Sequence, residues 1–355
     1  MSTFAIEKLK IASVLPHPNA DRLDIVKVSG LSFQFVSQKG TQVEGNEAVY
    51  FPVDSIFPDE LSSYFDIKKM LVGKNHDRLR TVKLRGEYSQ GLVLAVDRIC
   101  EYLSTKGHNF TPETLPVDVT ELLNVTKYEP PEVFEKNARL IPLNGLIESY
   151  DIEGSQRFPH IINYMMDKKV MISEKLEGMN GGVSYFSNGE TKVNQRNFFI
   201  EPKDGVEHTF WKVSNKYNLT QICKELSETR FNNKSVTIRF EVLGGSIQGN
   251  YYELKEHDLR AFDIKVDGKY LDVNEFLEIC DKYRIPTVPI LAKDVTLKEW
   301  LNGKTFEEAS NGKSVLIDKL REGIVCKLME EQSIEGYGRS IIKMRSMEYL
   351  AGNDL

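Results

Sequence analysis

The octapeptide Ser173-Glu174-Lys175-Leu176-Glu177-Gly178-Met179-Asn180 sets a lysine at the end of an apolar run, with a carboxylate two residues on and a glycine three on. In extended backbone, residues i and i+2 share a side, so Lys175 and Glu177 can face one pocket. Gly178 would let the chain turn close to a phosphate. Taken alone, Lys-x-x-Gly also fits a salt-bridged strand end. A lysine used as a nucleophile needs help: with a reference pKa near 10.4, only roughly one in a few thousand is neutral at pH 7, which costs about 4–5 kcal/mol. Carboxylates alone beside Lys175 would raise its pKa further. Acids in such a pocket make sense when they hold a hard cation such as magnesium or manganese.

Four further segments follow in order. Val236-Thr237-Ile238-Arg239-Phe240-Glu241-Val242-Leu243-Gly244-Gly245 sets one acid before paired glycines. Leu259-Arg260-Ala261-Phe262-Asp263-Ile264 carries an aromatic among short apolar residues. Arg321-Glu322-Gly323-Ile324-Val325-Cys326-Lys327 opens an apolar strand with an acid, and Ile341-Ile342-Lys343-Met344-Arg345 puts two cations on one side of a strand. Singly, each has a plain structural reading as a solvated strand end or a core aromatic.

The ordered set resembles the nucleotidyltransferase motifs of ATP-dependent ligases and capping enzymes. That pattern runs Lys-x-Asp/His-Gly, Gly-Glu-x-x-Gly, an aromatic-bearing strand, Glu-Gly-x-Val-x-Lys and Lys-x-Lys. Glu177 stands where Asp is usual, and Arg345 replaces the second lysine of the last motif while keeping a phosphate-binding cation. Glu-Lys-x-x-Gly-x-Asn and Gln195-Arg196-Asn197 look like the RNA ligase branch. His17-Pro18-Asn19-Ala20-Asp21-Arg22-Leu23 and Leu84-Arg85-Gly86-Glu87-Tyr88-Ser89-Gln90-Gly91-Leu92 resemble the RNA ligase class with an N-terminal OB-fold and a C-terminal nucleotidyltransferase domain. The first of these also occurs in OB-fold tRNA-binding modules and is ordinary turn chemistry, so a structural turn is expected there ahead of direct RNA contact.

The resemblance implies ATP as cosubstrate, with magnesium or manganese at its α-phosphate and RNA, as a nicked duplex or broken ends, as the partner. Lys175 would carry AMP. Glu177, Glu241 and Glu322 would hold the metal, and Lys343 and Arg345 would neutralise the α-phosphate. Phe262 would stack on adenine, with Glu174, Asn180 and Arg196 bounding the pocket. Lys327 is assigned to the same pocket, although a lysine alternating with apolar residues can equally point to solvent. The implied cycle makes lysyl-AMP, then an adenylylated 5′-phosphate, then a phosphodiester, in the setting of RNA repair. An ATP-dependent DNA ligase or a capping-type guanylyltransferase would share the covalent lysine, but both usually place an OB-fold after the last motif. Here the barrel-like unit comes first and ten residues follow Arg345. A non-catalytic OB-fold RNA-binding protein would not need Lys175, Glu241, Glu322 and Lys343 together.

The elements that position these residues are expected to form an α+β protein. Short apolar segments at 5–14, 23–28, 31–36, 47–53, 79–84 and 91–96, broken by turn residues, suggest an OB-type barrel, with a helix at 97–105. Residues 1–105 form that domain, and 106–160 is a Pro-rich connector packed on both domains. Residues 161–355 form an antiparallel-sheet nucleotidyltransferase domain. Its strands are expected at 169–174, 182–187, 191–196, 235–243, 259–266, 323–328 and 340–345. Its helices are expected near 206–230, at 273–283 with Asp272 as N-cap, and at 296–302.

Composition is consistent with this. The 355 residues are 41% hydrophobic and 28% charged, with no apolar run long enough to span a membrane and no apolar core in the first ten residues to make a signal peptide. Cys100, Cys223, Cys280 and Cys326 lie far apart, which argues for reduced thiols in a cytoplasmic or nucleocytoplasmic protein and against zinc. No obligate protein partner is inferred. The net charge of −6 does not exclude a phosphate-backbone ligand, since binding needs only a local basic surface. Lys74, Arg78, Arg80, Lys83 and Arg85 in 73–86 offer one, or else a solvated strand face.

Overall fold

The structure is a computed structural model, and it describes residues 3–130, 138–203 and 208–352. Two compact units are present among the described residues: 3–130, 154–160 and 347–352 make one, and 138–153, 161–203 and 208–346 make the other. The two parts of the expected connector, 106–130 and 138–153, therefore fall in different units. Residues 131–137 of that connector and the start of the helix expected near 206–230 lie outside the described residues.

In the first unit, strands β1 (Glu7–Pro16), β2 (Leu23–Val28), β3 (Gln34–Gln38) and β4 (Glu47–Phe51) precede a short helix α1 (Asp59–Tyr64). The hairpin β5–β6 (Val82–Leu84, Glu87–Ser89), strand β7 (Leu92–Ala95) and helix α2 (Val96–Thr105) complete it. A five-stranded antiparallel sheet runs β3-β2-β1-β4-β7. One half of β1 pairs with β4 and the other with β2, with a register shift between Ile11 and Ser13. Such a bulge increases twist and lets one long strand serve both flanks of a curled sheet. The Gln90 N–H donates to the Gln34 carbonyl at 2.9 Å and the Val36 N–H to Ser89 Oγ at 3.0 Å, bringing the sheet edges together. Phe35, Tyr50 and Val93 fill one core, while Ile99 and Leu103 of α2 pack with Phe51, Phe57 and Leu61 in another.

The second unit holds β8 (Ala138–Pro142), β9 (Lys169–Lys175), β10 (Met179–Tyr185), β11 (Thr191–Gln195) and β12 (Phe198–Pro202). Then come α3 (Thr209–Lys216), α4 (Leu219–Thr229), β13 (Val236–Leu243), β14 (Asp258–Val266), β15 (Lys269–Tyr270) and α5 (Val273–Tyr283). It ends with β16 (Ile290–Thr296), α6 (Leu297–Leu301), β17 (Gly323–Leu328) and β18 (Ile341–Arg345). A seven-stranded antiparallel sheet, β8-β12-β11-β10-β13-β14-β15, and a four-stranded one, β16-β9-β17-β18, form the unit.

The helix expected near 206–230 is two helices, because Asn218 between them sits in the left-handed region at φ 52°. Asp272 is the N-cap residue of α5, but its carboxylate caps nothing and instead accepts the Glu331 N–H at 2.7 Å. Alternation along β13 decides which residues reach the site. Val236, Ile238, Phe240 and Val242 pack with Leu219, Ile222 and Leu226 of α4, so Arg239 and Glu241 face the other way. Among the described residues no helix is long and apolar enough to cross a membrane.

Candidate active site

Lys175 ends the central part of the four-stranded sheet, paired with Gly323 of β17, which in turn pairs with Arg345 of β18. Gly323 must lack a side chain, because a Cβ there would run into the carbonyl of Met344. The row thus sets two long cations on either side of a bare position, and Glu322, one residue earlier, reaches both. Its Oε2 accepts from Lys175 Nζ at 2.6 Å, and its Oε1 lies 3.2 Å from Arg345 Nε. Glu322 is buried to 5% exposure, so this doubly paired carboxylate holds its cations in a poorly solvated place. Lys343 shares the face of Arg345, and its Nζ lies 3.2 Å from Asp151 Oδ1. Burial lowers the Lys343 ammonium below its usual range; Asp151 opposes this, while Lys175 and Arg345 add to it.

After Lys175 the chain buries Leu176, and the Glu177 N–H donates to the Tyr252 hydroxyl at 2.9 Å. Beside the expected reason for Gly178, a turn close to phosphate, the packing supplies one of its own. A Cβ at Gly178 would lie 2.6 Å from the Val242 carbonyl and 2.7 Å from Glu241 Cγ, so the glycine lets β13 approach. That approach sets Asn180 opposite Glu241 in the ladder. Glu241 is partly exposed, yet its carboxyl is pushed up to about 8. Burial is the main cause; Glu322 and Glu177 add to it, and Lys175 and Arg196 pull the other way.

Glu177, Glu241 and Glu322 are expected to hold a metal through its waters. Among the described residues no group of three or more His, Cys, Asp or Glu side chains is arranged to hold an ion. The donor chemistry fits a hard cation, since burial first, and the neighbouring Glu322 and Glu177 second, disfavour a bare Glu241 carboxylate that a cation would stabilise. Such an ion would be held mainly through its waters and a substrate's phosphates, as magnesium commonly is.

Phe262 owes its aim to a bulge. Arg239 pairs with Asp263 and Phe240 with Ala261, so Phe262 is the extra residue of β14. Ala261 and Ile264 both enter the core beneath α4, leaving Phe262 and Asp263 together on the opposite face. The Phe262 ring lies 4.8 Å from that of Tyr150 and packs with Leu176, Leu243 and Tyr252.

Strand alternation turns Glu174 away from Lys175. Its Oε2 accepts the Val315 N–H at 2.8 Å, and its buried Oε1 has no hydrogen-bond partner among the described residues. Asn180 Oδ1 is likewise buried without one. Arg196 reaches the cluster through Asp151, at 3.4 Å.

Lys327 does not point to solvent, which was the alternative reading of this lysine. At 2% exposure, its Nζ contacts Asp263 at 2.9 Å, the Leu271 carbonyl at 3.1 Å and Glu331 at 3.4 Å. Arg339 and the Tyr150 hydroxyl also bind Asp263, at 2.7 and 2.9 Å. Lys327 thus ties β17 to β14.

Asp151 and Tyr150 went unpredicted because they lie in an irregular, proline-flanked stretch with no periodicity to mark a buried face. Of the basic run 73–86, Arg78 is committed to Asp54 at 3.0 Å and lies 3.6 Å over the Tyr128 ring, whereas Lys83 and Arg85 are exposed. In the same unit His17 is buried, with a backbone partner on each ring nitrogen. Its Nε2 donates to the Leu84 carbonyl at 3.0 Å, its Nδ1 accepts the Asn19 N–H at 3.1 Å, and Asn19 Nδ2 donates to the Arg85 carbonyl at 2.9 Å.

Comparison with known proteins bears on this arrangement directly. The RNA ligase family model matches residues 168–345, half of the chain, and an OB-fold domain model matches residues 5–96. No curated protein matches the chain in sequence. Solved structures that resemble it include Naegleria gruberi RNA ligase. A mutant of that enzyme with ATP and manganese is 25% identical, covers 98% of both chains and has a TM-score of 0.76. A mutant in its apo form is 26% identical, covers 99% of this chain and 98% of that one, with a TM-score of 0.75. The same ligase with pyrophosphate is 25% identical over 98% of each chain, with a TM-score of 0.74. From Lys168 to Arg345, and with a barrel-type domain ahead of them, this chain belongs to the RNA ligase family.

Proposed function

We propose that the chain is an ATP-dependent RNA ligase that carries AMP on Lys175 and joins a 3′-hydroxyl to a 5′-phosphate at nicks or broken ends of RNA. The observation that carries this is the single buried carboxylate, Glu322, between Lys175 and Arg345. It aims an amine and a phosphate-binding cation at one point. The resemblance to a ligase solved with ATP and manganese, and with pyrophosphate, supports the same reading.

In the first step the bond from Lys175 Nζ to the α-phosphorus forms, the bond to the bridging oxygen breaks, pyrophosphate leaves, and the amine gives up a proton. Lys343 and Arg345 meet the charge that grows on the α-phosphate. The AMP then passes to an RNA 5′-phosphate, and a 3′-hydroxyl finally displaces it. A divalent ion, when bound, would supply charge neutralisation at the phosphate, with Glu177, Glu241 and Glu322 around its waters. Phe262 forms one wall for adenine, and the unsatisfied Glu174 Oε1 and Asn180 Oδ1 are acceptors for donors on the nucleotide. Lys327 supports the pocket through Asp263, which neighbours Phe262 in sequence.

Broken RNA in repair is the setting that fits this chemistry. A reducing, cytoplasmic or nucleocytoplasmic compartment fits four cysteines that are all free and buried. The test is incubation with labelled ATP or GTP, then with nicked duplexes varying the ribose at both ends. A covalent adduct from ATP that vanishes in Lys175→Ala, and sealing that requires RNA on the 3′-hydroxyl side, is the expected result. Labelling of Lys175→Ala would overturn the assignment. An adduct from GTP alone would indicate a capping-type enzyme, and equal sealing of all-DNA nicks a DNA ligase.

A further inference from the structure

Glu322 has a counterpart outside every recognised motif. Asp151 sits in the irregular segment before β9, yet its carboxylate lies 3.2 Å from Lys343 Nζ through Oδ1 and 3.4 Å from Arg196 through Oδ2. Its own conformation is fixed locally, since Oδ1 also accepts the Ile152 N–H at 2.9 Å. Two residues on, the Glu153 carbonyl accepts the Lys343 N–H at 2.9 Å, so the segment runs bonded along β18. Upstream, Tyr150 is tied to Asp263, and the Glu148 carbonyl accepts from Arg239 at 2.8 Å. Residues 148–153 therefore form a strap whose acid is delivered to two cations, one on β18 and one in the turn between β11 and β12.

We propose that Asp151 is a positioning residue for adenylyl transfer: it holds Lys343 and Arg196 together at the pocket until the phosphates of the nucleotide take them over. The physical case is one of charge and geometry. Lys343 stands in a cluster with Lys175 and Arg345, where an unpaired, poorly solvated ammonium is costly and free to swing away. One carboxylate between two cations leaves the pair with a net positive charge and a fixed spacing, which a phosphate can accept with little reorganisation. The carboxylate also competes with that phosphate for the same two cations. Its removal therefore costs rate and spares affinity.

The inference rests on the ligase reading, and the experiment separates the two. Asp151→Asn and Asp151→Glu are made in the full chain, alone and with Lys175→Ala. Single-turnover formation of the labelled adduct is timed at saturating ATP, and equilibrium binding of ATP is measured in the Lys175→Ala background, where no adduct can form. For D151N the expected rate is at least 10-fold below wild type, with ATP affinity unchanged within about 3-fold or tighter, and D151E lies between the two in rate. A D151N rate within 2-fold of wild type overturns the proposal. So does a loss of ATP affinity of 10-fold or more, which would make Asp151 a contact to the nucleotide or its metal. Thermal melting checks the fold. If D151N is unfolded, D151E decides alone, and a wild-type rate from it overturns the proposal. Absence of any adduct from the wild-type chain would defeat the ligase reading instead.

Discussion

Lys175 Nζ and Glu322 Oε2 stand 2.6 Å apart, and the other oxygen of the same carboxylate lies on Arg345. The lysine of one motif and the arginine of another are thus aligned by the acid of a third. The expectation is that Glu322→Gln slows adduct formation at saturating ATP by about 100-fold or more, since a displacement on the order of 1 Å in a reacting group is enough for that. Rapid-quench measurement with labelled ATP decides it, and an unaltered rate would mean the pairing plays no part in aligning the amine.

Gly178→Ala tests why that glycine is present. The new methyl would press on the Val242 carbonyl and Glu241 Cγ, both under 3 Å away. A stability loss of about 1–3 kcal/mol is expected from overpacking against a strand that cannot yield. Urea midpoints measure it. A turn that merely needed flexible backbone would tolerate alanine with almost no loss.

Phe262→Ala removes an aromatic face without opening the main core, because the bulge already holds Ala261 and Ile264 inward. Base–aromatic stacking is worth about 1–3 kcal/mol. ATP affinity should therefore fall by roughly 5- to 150-fold while the melting temperature moves little. Calorimetric titration in a Lys175→Ala background reads the first and a thermal scan the second.

Asp263 gives the acid limb of the stability curve. Burial alone would raise its carboxyl, but Lys327 and Arg339 outweigh that and hold it below the usual carboxylate range. A depressed folded-state value contributes stability in full above the unfolded value near 3.9, and that contribution is lost as pH falls through the folded value. Asp263→Asn should cost about 3–5 kcal/mol at neutral pH by leaving Lys327 and Arg339 to share Glu331 alone in a buried place. The gap between variant and wild type should narrow only below about pH 4. A gap that stayed constant from pH 7 to pH 3 would contradict the pairing.

Much of the site is legible in the order of residues along the chain. Lys175, Glu241, Glu322, Lys343 and Arg345 sit at the ends or along the faces of apolar strands, and the strand segments read at 169–174, 235–243, 323–328 and 340–345 correspond to β9, β13, β17 and β18. The basic run 73–86 divided where sequence could not divide it, since Arg78 turns inward to Asp54 and Arg85 stays exposed. Nothing local distinguishes those two arginines.

What this sequence determined by itself was an ordered set of strand-borne residues, because two-residue alternation fixes which side chains share a face once the strands are placed. Only the tertiary structure decided which partner each charge meets. Lys327 was spoken for by Asp263 from another sheet, Phe262 was aimed by a one-residue bulge, and Asp151 entered from a segment with no period at all. Such pairings join residues far apart in the chain, and the free energy that selects them comes from burial and charge neutralisation in the assembled interior. Lys175 could be named only from the four further segments that follow it in order, not from its own neighbours along the chain. That it lies between the acids and cations of three other strands is a property of the fold.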